Sequence, residues 1–180
     1  TTAFSKRLFL EGYAAYGTTD RKIKYDALIE YSFNDKKEYR KEFPVNSIRL
    51  EYLYDINQLG QQYMYTNKDN IFLAWKRQRD TRATYLRNAE LTYYREHYNG
   101  IAYGAVLRNK KEYSTDYAVF DRIEEDGRIT PIKSYSMTEL EFKFRYAPNE
   151  KFYQTRNYRY PITFDAPVIT LNHITARKGV

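Results

Sequence analysis

Apolar and charged side chains alternate residue by residue through several long stretches of this chain, and much of the apolar set is tyrosine. The clearest stretches are Ile23-Lys24-Tyr25-Asp26-Ala27-Leu28-Ile29-Glu30-Tyr31, Ile48-Arg49-Leu50-Glu51-Tyr52-Leu53-Tyr54-Asp55-Ile56 and Glu139-Leu140-Glu141-Phe142-Lys143-Phe144-Arg145-Tyr146. A period of two sends successive side chains to opposite faces of a strand, so each stretch has one apolar and one charged face. Charges that alternate this strictly require water on their side. A membrane β-barrel wall meets that condition, although a half-buried soluble sheet reads similarly.

The pattern predicts an all-β chain, an antiparallel meander of about eight long strands that forms part of a transmembrane β-barrel. No linker or composition shift divides residues 1–180, which read as a single partial barrel domain. The strands are predicted at Arg7–Gly17, Lys22–Phe33, Asn46–Ile56, around Ile71–Lys76, at Thr84–Tyr94, from Ile101 through Leu107, at Met137–Tyr146 and at Val168–Thr175. Thr18–Arg21 reads as a polar turn, and Asn99-Gly100 within His97–Gly100 is a hairpin signal. The longer connections are Asn34–Val45, Asn57–Asn70, Lys110–Ser136 with a turn at Glu124–Gly127, and Lys151–Pro167. If the two short turns share one side of the barrel, Asn34–Val45 and Lys110–Ser136 fall on the other. Strands of about ten residues exceed the soluble mode of about 5 to 6 and match the roughly 9 to 11 that cross a bilayer on a tilt. Helical periodicity is nearly absent, and Glu112–Ile123 carries no clean apolar stripe.

On the charged faces the strands place Glu11, Lys24, Asp26, Glu30, Arg49, Glu51, Asp55, Lys76, Glu90, Arg108, Glu139, Glu141, Lys143 and Arg145. Opposite charges on neighbouring strands can pair, each exposed pair contributing roughly 0.2 to 1 kcal/mol. The sharper reading of the same set is a charged lumen that selects solutes. On the apolar faces stand Tyr16, Tyr25, Tyr31, Tyr52, Tyr54, Trp75, Tyr93, Tyr103, Phe142, Phe144 and Tyr146. Aromatic rings with a polar tip favour the headgroup level, so these are expected to face lipid.

Composition narrows the picture. The chain has 180 residues with 21 Tyr, 10 Phe and only 7 Gly. No stretch approaches the roughly 20 apolar residues that a membrane-spanning helix needs, which excludes a helical membrane protein. The mean hydropathy of -0.82 leaves a barrel open, because half of every barrel strand faces a wet lumen. Cysteine is absent, which removes disulfides, thiolate metal sites and thiol nucleophiles. The opening Thr1-Thr2-Ala3 lacks an initiator Met and a signal segment, and the end Thr175–Val180 follows directly on a strand; an excised piece of a longer protein is expected.

The net charge of +7 invites a nucleic-acid reading, but Lys and Arg are spread through strands and loops, with only short clusters such as Lys36-Lys37 and Lys110-Lys111. No glycine-and-aromatic RNA-recognition signature is present, so no nucleic-acid partner is expected. His97 and His173 have no ligand triad at recognisable spacing and read as structural. Phosphate loops, nucleophile elbows and paired His-Glu motifs are missing. Neither catalysis nor a cofactor nor a metal is expected.

Four stretches carry a resemblance in combination: Leu10-Glu11-Gly12-Tyr13-Ala14-Ala15-Tyr16-Gly17-Thr18-Thr19-Asp20-Arg21-Lys22, Gln58-Leu59-Gly60-Gln61-Gln62-Tyr63, Asn67-Lys68-Asp69-Asn70 and Arg145-Tyr146-Ala147-Pro148-Asn149-Glu150-Lys151-Phe152-Tyr153-Gln154. Across essentially its whole length the chain resembles the barrel portion of an uncharacterised Bacteroidota outer-membrane family. Members carry a domain of unknown function, usually with an N-terminal carboxypeptidase-regulatory-like β-sandwich. The resemblance implies the outer membrane of a Gram-negative bacterium, with outer-membrane lipid, further barrel strands and that N-terminal domain as partners. It implies no site residues, since the family's activity is unassigned. The expectation is a non-enzymatic barrel segment of a pore, receptor or translocation module. The alternative is a soluble antiparallel sandwich or barrel that binds carbohydrate or nucleic acid through its Tyr- and Arg-rich surface.

Overall fold

The computed structural model describes residues 2–18, 20–36, 41–58, 83–116, 118–124, 126–155, 159–163 and 167–179. The predicted fourth strand, with Trp75 and Lys76, lies outside the described residues, as do most of the Asn57–Asn70 connection and all of the polar segment Gln78–Arg82. The described residues form strands and no helix: β1 Thr2–Ala3, β2 Leu8–Tyr16, β3 Ile23–Ser32, β4 Asn46–Gln58, β5 Ala83–Glu96, β6 Ile101–Tyr113, β7 Phe120–Ile123, β8 Ile129–Ile132, β9 Ser134–Tyr146, β10 Phe152–Gln154, β11 Arg159–Pro161 and β12 Ile169–Gly179. Eight of them make one antiparallel sheet in the order β1-β2-β3-β4-β5-β6-β9-β12, while β7-β8 and β10-β11 are separate two-stranded hairpins. β1 and β12 occupy the two edges.

The alternation explains why these segments pair in this register. A slip by one residue would move every side chain of a strand to the opposite face, so the two-period pattern allows few alternatives. From β3 to β4 the partners are Tyr25↔Tyr54, Ala27↔Tyr52, Ile29↔Leu50 and Tyr31↔Ile48, apolar against apolar throughout. Between them Glu30↔Arg49 sets opposite charges face to face.

The structure departs from the expected turn and loop placement. β4 pairs directly with β5 from Asn46↔Arg95 to Gln58↔Ala83, so the predicted third and fifth strands are neighbours in the sheet. As a result the Thr18–Arg21 and His97–Gly100 turns lie at opposite ends of the sheet, here called the first and second ends, instead of sharing one side. Lys110–Ser136 is not one long loop: Lys110–Tyr113 continue β6 against Ser134–Met137 of β9, and β7-β8 fold around the Glu124–Gly127 turn. Lys151–Pro167 likewise holds the β10-β11 hairpin.

Among the described residues no second sheet covers either face of the eight-stranded one. All the extensive contacts between elements join hydrogen-bonded neighbours. The accessible surface is 14017 Å², against roughly 9,200 Å² expected for a compact monomer of this mass. The buried apolar set is short: Phe9, Leu28, Tyr85, Ala102, Val106 and Ala147.

The β5-β6 turn shows how tightly one end is built. Gly100 has φ +82°, and a Cβ there would stand 2.3 Å from the Ala147 carbonyl oxygen. Gly100 also accepts the Ala147 N–H at 2.9 Å, tying the turn to the end of β9. Gly100→Ala is expected to destabilise the fold by about 1 to 3 kcal/mol, read as a lower denaturant midpoint, whereas Gly127→Ala, which meets nothing within 4 Å, costs less.

Candidate functional site

The register gathers the charged positions of the strands onto one face. Glu11, Lys24, Asp26, Glu30, Arg49, Glu51, Asp55, Glu90, Arg108, Glu139, Glu141, Lys143 and Arg145 all share it. At its centre a ladder crosses four strands. Arg49 Nη2 donates to Glu90 Oε1 at 2.9 Å, Arg108 Nε to Glu90 Oε2 at 2.8 Å, and Arg108 Nη1 to Glu139 Oε2 at 2.9 Å. Glu141 lies 3.5 Å from Arg108, and Lys110 approaches Glu139 at 3.3 Å. Glu51 and Glu90 are direct cross-strand partners, a like-charge contact offset by Arg49, which reaches both.

At the second end the β10-β11 hairpin brings Arg159 to this face. Its guanidinium donates to both carboxylate oxygens of Glu96, at 2.7 and 3.1 Å. The same group lies 4.5 Å from the Phe152 ring centroid and 5.4 Å from that of Phe43. Such a bidentate, ring-stacked geometry suits arginine and not lysine. Glu96 also accepts the Val45 N–H at 2.9 Å. Lys36 is buried nearby, donating to the carbonyls of Glu42 and Pro44, and burial pushes its ammonium below the ordinary lysine range. Between hairpin and sheet a cavity of about 390 Å³ is lined by Glu30, Arg49, Thr92, Lys143, Gln154 and Arg159.

The sequence reading missed Arg159, Glu96, Lys36 and Lys110 as members of this site. Glu96 continues the parity of Glu90 and Tyr94 and was legible once β5 is extended by two residues. Arg159 and Lys36 stand on connections, where no periodicity indicates a face.

The opposite face is apolar. Leu10, Ile29, Leu50, Leu91, Leu107 and Leu140 are successive cross-strand partners and make one aliphatic row over six strands. Aromatic rings flank it on both sides. Tyr31, Tyr93, Tyr103, Phe142, Phe144 and Tyr146 lie toward the second end, and Tyr16, Tyr25, Tyr52 and Tyr54 toward the first. Tyr85 joins the first-end group, stacked on Tyr54 at 6.0 Å, with Lys22 Nζ 3.6 Å above its ring. The Tyr85 hydroxyl donates to Asp20 at 2.7 Å, and Lys24 pairs with the same carboxylate at 3.0 Å. His173 shares the apolar face with Leu171 on β12, and His97 packs against Tyr103.

Exposure is inverted relative to a water-soluble sheet. Leu50 is 52% and Phe142 51% exposed, whereas the side chains of Glu90 and Glu141 are 12% and 10% exposed. The exposed apolar face spans six strand spacings and about nine residues, roughly 800 Å² in projection. That exceeds the roughly 300 to 600 Å² of the largest patch on a typical soluble monomer.

The apolar band is level over four strands, with Leu8–Tyr16 on β2, Ile23–Tyr31 on β3, Ile48–Ile56 on β4 and Tyr85–Tyr93 on β5 in register. From β6 onward it steps toward the second end, to Ile101–Leu107 on β6, Leu140–Tyr146 on β9 and Ile169–Leu171 on β12.

No protein-family model, curated protein or solved structure matches the chain.

Two outcomes are expected from this geometry. Arg108→Met leaves Glu90, Glu139 and Glu141 without their shared cation and costs on the order of 3 kcal/mol in an unfolding titration; adding Glu90→Leu and Glu139→Leu restores part of it. The Tyr85 hydroxyl, and then Lys24, hold the Asp20 carboxyl down to about 2. Its folded pKa is depressed, so its contribution is present above the ordinary range near 4 and disappears as pH falls toward 2. An acid titration that follows the Tyr85 ring by NMR should show the contact intact at pH 4.

Proposed function

We propose that the chain is a wall segment of a transmembrane β-barrel, with the apolar face against lipid and the charged face along an aqueous lumen. One observation carries this reading: within the sheet, every described strand carboxylate lies on the less exposed face, and the exposed face is aliphatic with aromatic rows on either side. A soluble sheet would put the same leucines under a second layer. Aromatic rows flanking an aliphatic belt are what two membrane interfaces select.

In this reading the full protein serves as a pore, receptor or translocation module of a Gram-negative outer membrane. Further strands complete the wall beyond the edges at β1 and β12. The motif resemblance to the Bacteroidota outer-membrane family belongs to the same proposal. No enzymatic step is assigned. The Arg159–Glu96 hairpin narrows the second end of the lumen.

Detergent dependence and heat-modifiable gel mobility after membrane fractionation test the placement; a chain that stays monomeric and folded in detergent-free buffer would sink it. Substitution separates the two solvents more sharply. Leu91→Arg, at the centre of the aliphatic row, is expected to cost about 2 to 4 kcal/mol in a bilayer and Tyr16→Arg, at the rim, about 0 to 1. On a water-facing surface both would fall within about 0.5 kcal/mol.

A further inference from the structure

The charges on the apolar face are few and of one sign. Among the described strand residues of the eight-stranded sheet, the register places Arg87, Arg95, Lys111 and Arg177 on that face, and no Asp or Glu. Arg87 and Lys111 are direct cross-strand partners on β5 and β6. Side chains so placed have Cβ atoms about 4.5 to 5.5 Å apart, and like charges at that distance repel. Among the described residues neither has a carboxylate partner. Arg87 faces Tyr54 across β4, and Lys111 Nζ lies 5.3 Å from the Tyr113 ring centroid.

Both cations sit at the first-end border of the band, one or two outward positions beyond Ala89 and Leu107. Long cationic side chains at such a border lay their stems on apolar surface and raise their heads to the headgroup level. Lys22 above Tyr85 adds a third cation at this rim, and the nearby carboxylate, Asp20, is already held by Tyr85 and Lys24.

We propose that Arg87 and Lys111 form a binding position for the phosphate of an anionic lipid headgroup. The inference rests on the membrane placement above. Charge complementarity selects an anion, and the position on the border of an apolar band selects a lipid-borne one. A phosphate between the two heads would accept hydrogen bonds from both and relieve their repulsion.

The test is co-flotation of the full chain with vesicles of phosphatidylcholine, alone and mixed with phosphatidylglycerol. The wild type is expected to prefer the anionic vesicles, and Arg87→Gln with Lys111→Gln to lose about fivefold of that preference per charge removed. The charge-matched pair Arg122→Gln with Arg128→Gln, on the β7-β8 hairpin, should retain it. Equal flotation with both vesicles overturns the headgroup position and leaves the barrel wall standing. Flotation with neither overturns the membrane placement, and this inference with it. Equal loss in the hairpin variant, or displacement by inorganic phosphate at matched concentration, would show diffuse charge or a soluble-anion site and overturn the proposal.

Discussion

The structure depends on keeping carboxylates off one face of a single sheet. An ionised carboxylate without water or a partner costs several kcal/mol, and a strand gives each side chain only two directions to point. Six strands of the main sheet, β2 to β6 and β9, obey this together. Their acids fall on one side, where arginines from neighbouring strands meet them, and their leucines form an unbroken row on the other. Once that partition holds, register and turn placement follow from it.

Arg108 shows how the partition locks register. Its guanidinium lies between carboxylates of β5 and β9, so both neighbouring pairings of β6 converge on one group. Shifting β6 by one residue would bring Leu107 to Glu90 and send Arg108 to the apolar face opposite Ala89. Shifting it by two would keep the faces but break the ladder, placing Val106 or Lys110 against Glu90. Apolar alternation therefore excludes odd slips, and the charge ladder penalises even ones.

The strands that could be read from the sequence were those whose two faces differ most. β2, β3, β4 and β9 alternate cleanly, and their predicted bounds agree with the structure to within three residues. The ends of β5 and β6 were read short, because Arg95-Glu96 and Lys110–Tyr113 are polar on both faces and lack the contrast that period two needs. The thirteen-residue strand β4 pairs directly with β5, which sets the Thr18–Arg21 and His97–Gly100 turns at opposite ends of the sheet. Co-location of the charged set was legible from parity alone. The Arg159–Glu96 contact was not, since it joins positions 63 residues apart through a hairpin whose strands are three residues long.

A net charge of +7 conceals this partition. On the charged face, described strand carboxylates outnumber strand cations: Glu11, Asp26, Glu30, Glu51, Asp55, Glu90, Glu96, Glu112, Glu139 and Glu141 stand against Lys24, Arg49, Arg108, Lys110, Lys143, Arg145 and Lys178. Among the described strand residues the only charges on the apolar face are cations, and much of the remaining basic excess belongs to turns and connections. The field along the charged face is set instead by the balance within the ladder. There Arg108 offsets three carboxylates. The chain's electrostatics thus oppose its average charge on one face and exaggerate it on the other, and each face acts on what it touches through its own sign.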